Sequence, residues 1–154
     1  MQTCTRRLEF DAAHRVPGHN GKCRNLHGHR YAVEITVEGE TQPEGMIADF
    51  GMIKEKVGGW IDDQLDHNVI LWADDPVASE LAKVAFMISP FAGRAKMPFE
   101  MGKPPTAENI AEMLYVVAGE FLNDCDMRVV HVRVRETPNC WADYGIHMVV
   151  PQEK

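Results

Sequence analysis

Two segments in which polar and apolar side chains alternate constrain the fold of this chain most. The first runs from Arg7 to Arg15 and the second from His27 to Glu38. An alternation with a period of two residues is typical of a strand that buries one face in the core. The loop between them, Pro17-Gly18-His19-Asn20-Gly21, is rich in residues that form turns. The pattern therefore predicts an antiparallel hairpin with a long connecting loop.

Two helical patterns follow the hairpin. The first places apolar residues at helical spacing from Ile53 to Leu65, with Asp49 as its N-cap. The second begins after Pro105 and keeps one apolar face as far as Phe121, with Thr106 as its N-cap. Both patterns predict amphipathic helices that cover a sheet.

Two more strands complete the predicted fold. Residues 130–134 alternate valine with polar residues, and Tyr144 to Val150 is apolar and β-branched enough to pair with them. The order strand, strand, helix, helix, strand, strand predicts an α+β domain, a four-stranded antiparallel sheet with two helices packed on one face. Residues 1–154 are expected to form one domain, because no repeat or linker interrupts them.

One segment does not fit this scheme and is interpreted as an insertion at about 72–104. Asp75-Pro76 can start a short helix, and proline and glycine interrupt the rest. The spacing predicts that four side chains of this helix point inward: Val77, Leu81, Val84 and Ile88. The sequence indicates no role for the insertion.

The charge of the chain is unevenly distributed. A net charge of −7 argues against nucleic acid as a partner, because neutralising phosphates needs a basic face. The stretch from Ala12 to Val33 nevertheless has no acidic residue. Its four cations predict a small anionic ligand: Arg15, Lys22, Arg24 and Arg30.

Two further features bear on the compartment. No apolar stretch approaches the length of a membrane span, so no membrane partner is expected. The four cysteines include no Cys-x-x-Cys pair and no dense framework. Free thiols in a cytoplasmic protein are the expectation.

The sharpest feature is His27-Gly28-His29. Residues i and i+2 of a strand point the same way, so both imidazoles lie on the face that Tyr31 continues into the core. His14 ends the apolar face of the partner strand, so a closed hairpin brings three imidazoles together at its loop end. Three histidine ligands leave one coordination position open, as catalytic zinc sites do. The sequence therefore predicts a zinc site.

Cys23 lies in the hairpin loop, between Lys22 and Arg24. Neighbouring cations favour the thiolate, so Cys23 is predicted to be the catalytic thiol. One alternative is a fourth zinc ligand, which would make a closed structural site. A plain buried cysteine is the less favoured alternative in so polar a loop.

Asp66-His67 follows the first helix. In the functional interpretation, the carboxylate orients a histidine that transfers protons near the thiol. In the alternative, which spacing alone favours, His67 caps carbonyl groups at the end of the helix.

A carboxylate, Glu136, ends the apolar face of strand 130–134. A buried carboxylate needs a partner, and a ligand with two parallel N–H donors, such as a 2-aminopyrimidinone edge, would suit it. A strand-end glutamate turned to solvent is the equally supported alternative. Glu108 is already explained by its place in a first helical turn, where it suits the helix dipole.

Five ordered motifs resemble the 6-pyruvoyl-tetrahydropterin synthase family. They cover almost the whole chain except the insertion. They are Phe10-Asp11-Ala12-Ala13-His14, Cys23-Arg24-Asn25-Leu26-His27-Gly28-His29, Leu65-Asp66-His67, Pro105-Thr106-Ala107-Glu108-Asn109 and Glu136-Thr137.

The resemblance implies a tunnelling fold, in which each chain gives a four-stranded antiparallel sheet and two helices. Three chains close a barrel, two trimers stack into a hexamer, and the active sites lie between subunits. A homo-oligomer is therefore expected. The resemblance also implies the following roles: zinc ligands His14, His27 and His29; a proton-transfer triad of Cys23, Asp66 and His67; Glu136 as anchor of the pterin ring; and Thr106 and Glu108 in the pterin pocket.

Within the family, three residues separate the cysteine from the His-Gly-His motif. This spacing is similar to that of the bacterial 6-carboxytetrahydropterin synthases of the queuosine (7-deazaguanine) pathway. The implied substrate is 7,8-dihydroneopterin triphosphate, whose anionic tail suits the basic stretch. The implied products are 6-carboxytetrahydropterin, acetaldehyde and triphosphate.

Two alternatives stay open on the sequence. One is another activity on the same substrate, either triphosphate elimination to 6-pyruvoyltetrahydropterin or aldol-type cleavage to 6-hydroxymethyl-dihydropterin. The other is a non-catalytic, zinc-stabilised binding module in which Cys23 is the fourth ligand.

Overall fold

The computed structural model of the protein describes residues 2–92, 95–124 and 126–145. In these residues six strands form one mixed sheet in the order β4-β3-β1-β2-β5-β6. The neighbours β1–β2, β2–β5 and β5–β6 are antiparallel, whereas β3 is parallel to both β1 and β4. The bounds are β1 Gln2–His14, β2 His27–Gly39, β3 Asn68–Trp72, β4 Phe99–Met101, β5 Met127–Thr137 and β6 Cys140–Gly145.

The α+β class is confirmed, but the predicted four-stranded antiparallel sheet is wrong in its strand number. The four expected strands are β1, β2, β5 and β6, and the parallel strands β3 and β4 extend the sheet beside β1. After Asn68, β3 is a short apolar run, and periodicity alone cannot distinguish such a run from part of a helix. β6 begins at Cys140 rather than Tyr144, and residues 146–150 of the predicted strand lie outside the described residues.

The predicted hairpin is confirmed, and its register sets the position of the candidate site. His14 lies opposite His27, and Ala12 lies opposite His29. The connecting loop contains a 3₁₀ turn at Lys22–Arg24, and the N–H of Val16 donates to the carbonyl of Cys23 across the loop (2.8 Å).

Both predicted helices are present, each with its predicted N-cap. The first is a helical run made of α1 (Phe50–Ile53), a π-helical turn (Lys54–Gly58) and α2 (Gly59–Gln64). The Asp49 carboxylate caps α1 by accepting from the N–H of Gly51 at 2.6 Å. The second predicted helix corresponds to α4 (Ala107–Leu122), which Thr106 caps by accepting from the N–H of Asn109 at 3.4 Å.

The core lies between the sheet and these helices. The same face of β1, β2 and β5 packs against the first helical run and α4, as predicted. Members of this core cluster include Phe10, Tyr31, Val33, Ile53, Ile61, Ile110, Leu114 and Val132. The cluster stops at the loop end of the hairpin, where histidines replace the apolar side chains.

A third helix, α3 (Pro76–Ala92), forms in the predicted insertion and begins where Asp75-Pro76 indicates. Its predicted inward face is wrong, because Val84 is 51% and Ile88 47% exposed. Ala78 and Ala85 are buried instead, since small side chains let the helix approach its neighbours closely. Within the described residues, no helix is both long and apolar enough to cross a membrane.

Candidate metal centre and active site

Three histidines converge at the loop end of the hairpin. Their ring centroids lie 4.6 Å (His14–His27), 5.1 Å (His14–His29) and 4.9 Å (His27–His29) apart. One ring nitrogen of each lies within 4.8 Å of the corresponding atom of the other two. The convergence follows from the hairpin register, since His27 and His29 share one face of β2 and His14 pairs opposite His27.

Backbone carbonyls set the tautomers of two of these imidazoles. Nδ1 of His14 donates to the carbonyl of Pro105 (2.7 Å), and Nδ1 of His27 donates to the carbonyl of Asn25 (2.8 Å). Nε2 of each neutral ring is therefore the unprotonated atom. Outer hydrogen bonds of this kind orient histidine ligands in metal sites.

The nitrogens that face the cluster suit a metal ion. Nε2 of His14 and Nε2 of His29 are buried, and neither has a hydrogen-bond partner among the described residues. Burial lowers the pKa of His14 to about 4 and also lowers that of His29, although Glu136 opposes the second effect. Both rings are neutral at pH 7, which is the form that binds a metal.

A cavity of about 300 Å³ opens beside His14. It brings together Cys23, Glu136, Thr106 and Glu108, four of the residues singled out in the sequence. Oε1 of Glu136 lies 3.7 Å from Nε2 of His14, and the Glu136 side chain is 23% exposed. The cavity therefore combines the edge of the histidine cluster with a thiol and with carboxylate acceptors for a polar ligand.

The same cavity contains residues that the sequence did not indicate. His19, Cys140 and Trp141 contribute to its wall. Cys140 pairs with Thr137 at the turn of the β5–β6 hairpin, so the register beside Glu136 could have revealed it. Trp141 is 47% exposed and lies 4.7 Å from the guanidinium of Arg135, a cation–π arrangement.

Tyr31 lies behind the histidines and was predicted only as part of the core. Its ring is fully buried and meets the rings of His14 and His29 edge to face, at 5.8 and 5.6 Å. Its hydroxyl has no hydrogen-bond partner among the described residues. Burial raises the pKa of Tyr31 far above its ordinary value, so the phenol stays neutral beside the cluster.

His67 lines a second cavity, which also has His29 and Arg30 in its wall, and Asp66 is paired with His67. Nδ1 of His67 donates to Oδ2 of Asp66 (2.6 Å), and Oδ1 of Asp66 accepts from the N–H of Asp11 (2.9 Å). Burial of Asp66 opposes ionisation, but the bonds from Asp11 and His67 and the charge of Lys96 hold its pKa below the ordinary value.

The structure does not place this pair in the cavity of Cys23. His14 lines the cavity with Cys23, whereas His29 lines the cavity with His67. The His67 ring bonds to Asp66, and among the described residues the side chains of Lys96 and Asn68 donate to carbonyls at the end of α2.

Fold and site together define a class of protein. It is an α+β domain with a possible three-histidine metal site at the end of a long hairpin, next to a cavity of small-molecule size.

Comparison with known sequences identifies the family. The sequence profile described as 6-pyruvoyl tetrahydropterin synthase matches residues 3–146, so the chain belongs to the 6-pyruvoyl tetrahydropterin synthase family. A protein of Rickettsia bellii named 6-carboxy-5,6,7,8-tetrahydropterin synthase is 38% identical over 93% of this chain and 99% of its own length. A Rickettsia typhi protein of the same name is 40% identical over the same shares of both chains.

Solved structures support the fold. An uncharacterized protein of Wolinella succinogenes superposes with a TM-score of 0.79 at 24% identity, covering 94% of this chain and 97% of that one. The 6-pyruvoyl tetrahydropterin synthase of Caenorhabditis elegans superposes with a TM-score of 0.64 at 23% identity, covering 94% of each chain. The α+β arrangement around the hairpin is therefore shared with this family.

Proposed function

We propose that this protein is a lyase, a 6-carboxy-5,6,7,8-tetrahydropterin synthase. It converts 7,8-dihydroneopterin triphosphate and water to 6-carboxytetrahydropterin, acetaldehyde and triphosphate, and serves queuosine biosynthesis. The histidine cluster beside a cavity that holds Cys23 and Glu136 carries this proposal. Relatives of that name, 38–40% identical over 93% of the chain, support it.

His14, His27 and His29 would hold a zinc ion. The donor set fits, because three imidazole nitrogens leave one tetrahedral position for a ligand. When bound, zinc supplies Lewis acidity toward the side-chain oxygens of the pterin. The carbonyls of Pro105 and Asn25 keep two of the imidazoles oriented toward the ion.

Cys23 would act as a base on the substrate side chain. It lies in the 3₁₀ turn between Lys22 and Arg24, so two cationic residues flank the thiol in the sequence. Glu136 would accept two N–H bonds from the 2-amino-4-oxo edge of the pterin, since its carboxylate faces the cavity. Thr106 and Glu108, at the start of α4, would line the ring pocket.

His67, oriented by Asp66, would transfer the second proton. Because His67 lines a different cavity from Cys23 of the same chain, we assign each complete site to two subunits of a homo-oligomer. The Asp66 carboxylate is ionised at pH 7 and accepts the Nδ1–H bond of His67, so Nε2 is the atom available to the substrate.

Product analysis tests the proposal. The purified zinc protein is incubated with 7,8-dihydroneopterin triphosphate, and the pterin products are identified by mass spectrometry while acetaldehyde is measured enzymatically. We expect one acetaldehyde for each triphosphate released. Triphosphate without acetaldehyde would instead identify elimination to 6-pyruvoyltetrahydropterin, and glycolaldehyde triphosphate would identify aldol-type cleavage.

A further inference from the structure

The predicted insertion, for which the sequence indicates no role, packs directly against the turn that carries Asp66 and His67. Its strand β4 extends the sheet beside β3, with Phe99 opposite Ile70. The ring of Phe99 also meets Trp60 of α2 edge to face, with centroids 5.6 Å apart. The end of the insertion is therefore part of the fold around this turn.

Lys96 makes one of two polar links between the insertion and the turn that carries Asp66 and His67. Its ammonium group donates to the carbonyls of Asp62 (2.5 Å) and Asp66 (2.7 Å). Both carbonyls lie at the end of α2, where backbone acceptors lose their helical partners. The Asn68 amide group adds a second link by donating to the carbonyl of Met97 at 2.9 Å.

The Asp66 carbonyl belongs to the peptide group that joins Asp66 to His67. The N–H of the same peptide donates to the carbonyl of Asp11 (2.7 Å). This peptide is therefore held at both ends, at its oxygen by Lys96 and at its nitrogen by Asp11.

His67 depends on that support. Its φ is 54°, a left-handed conformation that a non-glycine residue keeps only where its surroundings hold it. Its side chain is 77% exposed, so packing does not fix the ring. The direction of the imidazole follows from the held peptide and from its bond to Asp66.

We propose that Lys96 is a positioning residue for the Asp66–His67 pair, and that the insertion acts on the active site through this ammonium group. The proposal rests on the proton-transfer role proposed for His67. Lys96 itself touches no reacting atom.

The test begins with Lys96→Met, which keeps the length of the side chain and removes its donors. We expect kcat to fall on the order of tenfold or more, because small misplacements of a catalytic group are costly, while KM stays within about twofold. Lys96→Arg keeps N–H donors and should retain most of the activity. Lys83→Met is the matched control, since Lys83 pairs with Glu80 on α3 (2.7 Å) and should leave kcat unchanged.

A double variant separates positioning from general structural support. His67→Asn removes the imidazole with a residue that tolerates the left-handed conformation. If Lys96 acts through His67, adding Lys96→Met to His67→Asn should lower kcat no further. Losses that multiply in the double variant overturn the proposal.

Hydrogen exchange of the His67 amide, followed by NMR, tests the same inference without any activity. We expect Lys96→Met to accelerate exchange at His67, whose N–H bonds to Asp11, and to leave a core amide such as that of Val33 unchanged. Unchanged exchange at His67 overturns the positioning role, even if activity falls. If the wild-type protein makes no 6-carboxytetrahydropterin, the proposed function is refuted. The exchange measurement still decides whether Lys96 holds the His67 peptide in place.

Discussion

At the scale of single residues, the site depends on hydrogen-bond acceptors that fix the tautomers of its histidines. The carbonyl of Pro105 bonds Nδ1 of His14, and Asp66 bonds Nδ1 of His67. In each case the partner leaves Nε2 as the free atom. The same imidazole chemistry can therefore supply a metal ligand at one position and a proton carrier at the other.

Removal of the thiol should leave the metal in place. Cys23→Ala is expected to keep about one zinc per chain, because the three imidazoles converge without the thiol. Its activity should fall by a factor on the order of 10²–10⁴, the usual contribution of positioned acid–base catalysis. Metal content by mass spectrometry and turnover under the same conditions measure both.

His29→Ala is the contrasting variant and should lose both zinc and activity while the fold survives. His131→Ala, whose histidine pairs with Asp143 away from the cluster, should lose neither. Loss of zinc and of the fold in Cys23→Ala would instead favour the non-catalytic module with Cys23 as fourth ligand.

The carboxylate of Glu136 is expected to recognise the pterin ring. Glu136→Gln keeps the shape but turns one acceptor oxygen into a donor that faces the N–H groups of the ligand. An unpaired donor in a desolvated pocket costs roughly 1–3 kcal/mol, so pterin binding should weaken by a factor of about 5 to 150. Calorimetry with unsubstituted pterin measures this, with zinc content and thermal stability as controls. Wild-type affinity in the variant would remove the proposed ring-binding role.

At the scale of secondary structure, the hairpin was predictable because its alternation, its turn residues and its histidines all indicate the same register. His14 and His27 lie opposite each other as that register requires. The parallel strand β4 was not predictable, because three residues carry no periodicity. The inward face of α3 was mistaken because its alanines, rather than Val84 and Ile88, lie against the protein.

The residues of the proposed site also divide into predictable and unpredictable ones. Cys23 and Glu136 reach one cavity because the hairpin loop and the end of β5 meet beside His14. The separation of His67 from that cavity depends on the packing of β3 against β1, which the sequence does not reveal. Lys96 is found only from the structure, because 30 residues separate it from the carbonyl it binds.

The closeness of β1 and β2 at the histidine cluster predicts a role for Gly28. A Cβ on Gly28 would lie 3.1 Å from the carbonyl oxygen of Ala12, so Gly28→Ala is expected to move the two strands apart by a few tenths of an ångström. Since His14 lies on β1 and His29 on β2, zinc affinity should fall about tenfold or more. Competition with a chelating dye measures this affinity.

Gly59→Ala is the matched control, because nothing lies within 4 Å of the added carbon in α2. Alanine should stabilise that helix by about 0.5–1 kcal/mol and leave zinc affinity unchanged. Equal zinc affinities in the two variants and the wild type would show that the strand spacing does not control the site.

At the scale of the whole molecule, the buried site links pH to the stability of the metal-free protein. The pKa of His14 is about 4 when folded and about 6.5 when unfolded, so only the unfolded chain binds the proton between these values. This contribution to stability is complete above pH 6.5 and is lost as the pH falls toward 4. The free energy of unfolding should therefore drop by about 3 kcal/mol over this range, at about 1.4 kcal/mol per pH unit.

Urea unfolding of the metal-free wild type and of His14→Gln at several pH values isolates this effect. Carboxylates titrate in both proteins, so the difference between the two curves reports His14. Parallel curves from pH 7 to pH 4 would contradict the assignment of a buried, neutral imidazole.

The division of the proposed catalytic groups between two cavities leads to a prediction about assembly. As pure homo-oligomers, Cys23→Ala and His67→Asn should each keep at most about a hundredth of the wild-type activity. In oligomers formed at random from both variants, half of the chains keep the thiol and half keep the imidazole. If each site takes Cys23 from one subunit and His67 from another, about a quarter of the sites are complete.

Co-expression with two affinity tags, sequential purification and light scattering provide mixed oligomers of known size. Activity near a quarter of the wild-type value is expected, whereas mixed oligomers without activity would show that one chain supplies both groups, because then every site lacks one of them.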